Sequence, residues 1–112
     1  MSDKPKIWIG SSRGPCINIE AEIVQDHLAV NQSYSIYNEP IHDEYTVTHL
    51  ITGFRICHTA TVDRARDLME QLAHCGLDWS LGLQEILEAE KELNLVKPII
   101  QAAKKKGWLL ES

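Results

Sequence analysis

Two adjacent pairs, Cys57-His58 and His74-Cys75, hold the side chains best suited by type to bind a metal or carry nucleophilic chemistry. Two sulfurs and two imidazoles would suit zinc. The spacing argues otherwise. Neighbours in a strand point to opposite faces, so Cys57 and His58 do not chelate one ion together, and neither pair has C-x₂-C or H-x₃-H spacing. The expected roles are buried small hydrophobes for the cysteines and surface imidazoles for the histidines. A cysteine nucleophile with a histidine and an aspartate has the right residue types, but no flanking signature marks one. The carboxylates of Asp63, Asp67 and Glu70 lie beside Arg64 and Arg66, where solvated ion pairs along a helix account for them. Gly10 to Pro15 has the glycines of a phosphate loop but lacks the Gly-Lys-Ser/Thr ending, and no strong helix follows it, so it is expected to be a plain turn. No catalytic residue, cofactor or metal is therefore expected.

Composition narrows the function further. The chain has 112 residues, 44% of them hydrophobic, enough for one domain spanning 1–112 that buries about two thirds of its unfolded surface. Its net charge is −5, with 4 basic and 7 acidic groups in residues 1–60 and 7 and 9 in residues 61–112. Affinity for phosphate backbones depends on Lys and Arg displacing counterions, so direct binding to nucleic acid is disfavoured and a basic protein partner is easier to defend. Three cysteines without paired spacing, and no charged segment leading into an apolar one, fit a reduced cytoplasmic compartment. No run approaches the ~20 apolar residues of a membrane span.

The elements follow from periodicity. Tyr45, Val47, His49 and Ile51 alternate with Thr46, Thr48 and Leu50, Thr52-Gly53 supplies a turn, and Phe54 to Thr59 resumes alternation, which predicts a β-hairpin. Thr61 is a good N-cap, Gly76 a C-terminal stop, and Val62, Ala65, Leu68, Met69, Leu72 and Ala73 form the apolar stripe of a helix that should pack on the hairpin. Before this module, Lys6 to Ile9 predicts a strand. Ile17 to Ile23 predicts a half-exposed strand with an acidic edge, turned back through Gln25-Asp26 into His27 to Val30; a helix over Glu20 to Val30 is the competing reading. Ser33 to Tyr37 predicts another strand, stopped at Asn38-Glu39-Pro40.

After the module, Leu77 to Ser80 reads as a connector. Leu83, Ile86, Leu87 and Leu93 then predict a second helical stripe, with Glu85, Glu88 and Glu92 on a neighbouring face. A third helix should start near Asn94, carry Pro98 in its first turn and end at Gly107. The tail Trp108-Leu109-Leu110 either docks on its own domain or meets another chain. The predicted fold is α+β: an antiparallel sheet of four to five strands with three helices, the first packed on the sheet.

Within the central module, Val47-Thr48-His49-Leu50-Ile51-Thr52-Gly53, with an aliphatic strand after it and a capped Arg/Asp-rich helix next, resembles the VTH-x-x-TG hairpin-and-helix module of small accessory proteins of bacteriophages and prophages. The likeness covers roughly residues 28–75. It implies a small phage or mobile-element protein in a bacterial cytoplasm, and raises an anti-CRISPR or other anti-defence role. The leading expectation is a non-enzymatic inhibitor that binds a basic, nucleic-acid-binding surface of a bacterial defence effector. Glu85, Glu88 and Glu92 would steer it, and Trp108 and Leu109 would anchor it. The alternatives are a self-associating accessory protein, dimeric through the Trp108 tail, and a small metal-dependent or cysteine enzyme.

Overall fold

A computed structural model describes residues 4–11, 14–35, 37 and 39–110. The strands are β1 (Lys6–Ser11), β2 (Gly14–Glu20), β3 (Ile23–Gln25), β4 (Leu28–Tyr34), β5 (Pro40–His49) and β6 (Arg55–Thr59), and the helices α1 (Val62–Ala73), α2 (Leu83–Leu93) and α3 (Val96–Lys105). The fold is α+β, as its alternation and stripes predict. All strand pairs are antiparallel, but they divide between two sheets: a two-stranded β1-β2 ribbon and a four-stranded sheet in the order β3-β4-β5-β6.

Period-two alternation sorts the larger sheet into two faces. Leu28 opposes His49, Val30 opposes Val47, and Val47 opposes Cys57, so these side chains share one face. Against it α1 lays Ala65, Leu68, Met69 and Leu72, all buried. The helix starts where Thr61 Oγ1 accepts the Arg64 N–H at 3.3 Å. Burying Leu68, Met69 and Leu72 contributes on the order of 5–9 kcal/mol. That is comparable with the whole net stability of a small domain, so this contact decides whether the fold exists.

The opposite face is covered differently. Ile7, Ile9 and Ile19 of the ribbon form a second cluster with Ala21 and Ala29. The ribbon is also tied to the β5–β6 turn, where Gly10 N–H donates to Gly53 O at 3.0 Å. A Cβ at Gly53, whose φ is +73°, would lie 3.0 Å from Gly10 N, so both the backbone conformation and the close approach require glycine there.

Several boundaries depart from the sequence reading. The predicted loop over Gly10 to Pro15 shrinks, because Gly10-Ser11 and Gly14-Pro15 belong to strands; Ser12 and Arg13 lie outside the described residues. Residues 23–30 form the hairpin and not the competing helix. Its two-residue turn is Asp26-His27, one position later than predicted, with φ of 50° and 67°, both in the left-handed region that this turn class needs. Pro40 does not stop the ladder but begins β5, opposite Tyr34 at the ladder's end, where a missing N–H is tolerated. Ile36 and Asn38, within and after the predicted Ser33 to Tyr37 strand, lie outside the described residues, and β4 ends at Tyr34. Leu50 and Ile51 leave the strand and join the turn, because a register shift between Val47 and Thr48 pairs Thr48 with Arg55. No described helix is long and apolar enough to cross a membrane.

Candidate functional site

Three places hold the side chains that could carry chemistry. The first is Cys57-His58. As alternation requires, the two point apart: Cys57 joins the core under α1, and His58 Nδ1 lies 2.9 Å from Thr46 Oγ1 on the other face. Burial pushes the Cys57 thiol up to about 12, so at neutral pH it is neither a nucleophile nor a ready ligand. Burial also lowers the His58 pKa, with Glu44, 3.7 Å away, pulling it back and Arg55 adding to the lowering. Cys57 and Cys75 are free thiols. His74 Nδ1 lies 2.8 Å from Glu70 O and is exposed. Among the described residues no three His, Cys, Asp or Glu side chains converge as a metal site would need.

His58 ends a polar line across the sheet. Thr46 Oγ1 lies between Ser33 Oγ, at 2.5 Å, and His58 Nδ1, while Thr48 donates to Asn31 Oδ1 at 2.7 Å. A Ser–Thr–His line resembles a relay, but Ser33 and Thr46 are closed to solvent. The line is a satisfied buried network, in which each hydroxyl supplies what its neighbour would otherwise lack.

The third place is a groove of about 190 Å³ between the β5–β6 turn and α2. Its inner wall is His49 and Trp79. Trp79 lies in the stretch read as a connector, yet it is buried: its Nε1–H donates to Leu72 O at 2.8 Å, and its own carbonyl accepts from His49 Nε2 at 2.6 Å. His49 Nδ1 meets Thr52 Oγ1 at 2.8 Å, so both imidazole nitrogens are hydrogen-bonded within the chain. The outer wall is Phe54, Leu83 and Leu87, which are 56%, 37% and 59% exposed. The predicted second stripe is therefore only partly buried. Ile86 reaches the core, but Leu83, Leu87 and also Leu93 do not, because no element among the described residues covers α2 on that side.

Glu90 closes the groove's far end and has a structural task that its spacing did not reveal. Its carboxylate accepts the N–H groups of Leu95, Val96 and Lys97 at 2.7, 2.8 and 2.9 Å, capping α3 in place of its uncapped N-terminal residue Leu95. Burial alone would raise its pKa, but the three backbone donors and the nearby Lys97 charge outweigh that and hold it below the usual carboxylate range. Replacing Glu90 by Gln is expected to cost about 1–2 kcal/mol, the size of a lost helix cap. Because the folded pKa is lowered, the charge stabilises fully above the ordinary carboxylate value and its contribution is lost as pH falls through the lowered one. Urea titrations of both proteins should show the difference at neutral pH and its shrinkage in acid.

The other residues singled out by sequence lie elsewhere. Glu85, Glu88 and Glu92 are exposed on α2 and, at 100° per residue, sit on the side opposite the groove-facing Leu83, Ile86, Leu87 and Glu90. Glu85 Oε2 accepts the Gly82 N–H at 2.8 Å, so it also caps its own helix. Asp63 makes an exposed 3.8 Å pair with Arg66, as a solvated helix face should. The tail docks on its own chain: Leu109 bridges to Thr59, Leu110 N–H donates to His58 O at 3.0 Å, and Trp108 and Leu109 pack half-buried against the core. Lys106 Nζ stands 4.8 Å from the centre of the Trp108 ring. No protein-family model matches the chain, and no curated protein or solved structure matches it either.

Proposed function

We propose that this chain acts by protein–protein contact and not by catalysis, presenting the outer face of α2 to a basic surface of a bacterial partner. The observation that carries this reading is the placement of Glu85, Glu88 and Glu92 together on one exposed helix face, in a chain of net charge −5. Glu85 is shared with its cap, so Glu88 and Glu92 supply most of the steering charge. Charges arranged in this way raise association rates toward a complementary surface and repel nucleic acid. Trp108 and Leu109 add only the surface that their docking leaves open. The neutral Cys57 thiol and the enclosed Ser33 hydroxyl support a non-enzymatic role.

The resemblance of residues 28–75 to phage accessory proteins makes a bacterial defence effector the partner class to test first, in the cytoplasm of the host. Binding should weaken steeply with added salt and with reversal of Glu88 and Glu92 to lysine. Affinity unchanged by both treatments would contradict it. The uncovered apolar side of α2 favours self-association as a second property.

A further inference from the structure

We propose that the groove formed by Phe54, Trp79, Leu83 and Leu87 is the contact surface of a two-fold homodimer, each copy seating an apolar side chain of the other. Helix α2 carries a stripe at helical spacing, yet Leu83 and Leu87 remain 37% and 59% exposed, and Phe54, on the strand side of the same groove, remains 56% exposed. An apolar stripe that its own chain does not cover calls for another surface.

Size and charge select the occupant. A volume of about 190 Å³ is smaller than the roughly 300–1,000 Å³ of sites that enclose a drug-sized ligand. It suits a single ring or branched side chain, since a cavity of about 150 Å³ already admits benzene. The groove also carries one charge of each sign, Arg55 and Glu90. Among the described residues the Arg55 guanidinium has no ion-pair partner. A strongly acidic or basic partner would match one of these charges and be repelled by the other. A second copy related by a two-fold axis matches both, because each Arg55 is then offered the other copy's Glu90 Oε2, which accepts a single N–H in the α3 cap and keeps a second acceptor site. The exposed Phe54 supplies an aromatic anchor of the right size from each side. In such a dimer Glu88 and Glu92, on the far side of α2, stay on the outside.

The test is sedimentation velocity across the micromolar range on the full chain, with Leu87→Glu and Arg55→Glu alongside. Both residues are exposed, and circular dichroism checks that each variant folds. A dimer is expected, with its dissociation constant raised about thirtyfold or more by Leu87→Glu, the size of a hot-spot truncation, and raised less by Arg55→Glu. Glu88→Lys with Glu92→Lys should leave the dimer intact, which separates this inference from the partner-binding proposal. A monomer throughout the range would overturn it. So would a dimer indifferent to Leu87→Glu, as one built on the Trp108 tail would be, or a monomer whose groove instead captures an apolar peptide.

Discussion

Replacing Trp79 by alanine is expected to lower the stability of this protein by about 3–5 kcal/mol, read from the urea midpoint at neutral pH. Three losses coincide at this residue. The indole is 6% exposed and belongs to the core under α1, so truncation opens a cavity between that helix and the β5–β6 turn. The Nε1–H bond to Leu72 O disappears, leaving a carbonyl near the end of α1 without that donor. His49 loses a tilted ring whose centre lies 5.6 Å from its own, although its bond to the main-chain carbonyl of residue 79 can persist. A total near the upper value would consume much of the stability available to a domain of this size. Trp79→Phe keeps most of the packing and should cost less than half as much. Equal effects of the two substitutions would show that the hydrogen bond, and not the ring volume, governs the site.

Thr46→Val should cost roughly 2–4 kcal/mol although it preserves side-chain shape. The Thr46 hydroxyl stands between Ser33 Oγ and His58 Nδ1, and valine leaves both neighbours without it. Ser33 is buried and would bear the full penalty of an unpaired hydroxyl, while half-exposed His58 recovers part of its loss from water. The double substitution Thr46→Val with Ser33→Ala removes both members of the buried pair and should recover part of the stability. A recovery of zero in equilibrium denaturation would mean that the pair is not coupled.

What the sequence disclosed and what it withheld have separate physical causes. The hairpin, α1 and its Thr61 cap were legible because their signals are local: alternation of Tyr45, Val47 and His49, a glycine turn, and a stripe from Val62 to Ala73. The third helix was legible for the same reason, with Pro98 in its first turn. The division of six strands into two sheets was not, since nothing local in Ile17 to Ile23 says that pairing ends at Glu20 and resumes with another partner at Ile23. Nor was the groove. Its walls come from residues 49–56, 79, 83–90 and 96, brought together only by tertiary packing. Trp79 looked like part of a connector because its hydrogen bond to Leu72 and its carbonyl's bond from His49 follow no period. Glu90 drew no reading from the sequence, since a carboxylate that caps the following helix through three N–H groups has no spacing signature. The α2 stripe misled in the opposite direction. Helical periodicity shows that Leu83 and Leu87 share a side, but not whether their own chain covers it.

Affinity capture from bacterial lysate, with the parent chain and with Glu88→Lys/Glu92→Lys, shows whether the acidic outer face of α2 meets a basic protein surface. The parent should retain a specific protein with a basic surface, and the double variant, folded by circular dichroism and dimeric by sedimentation, should lose it. Recovery of the same protein in equal amount by both chains, or of none by the parent, would contradict that contact.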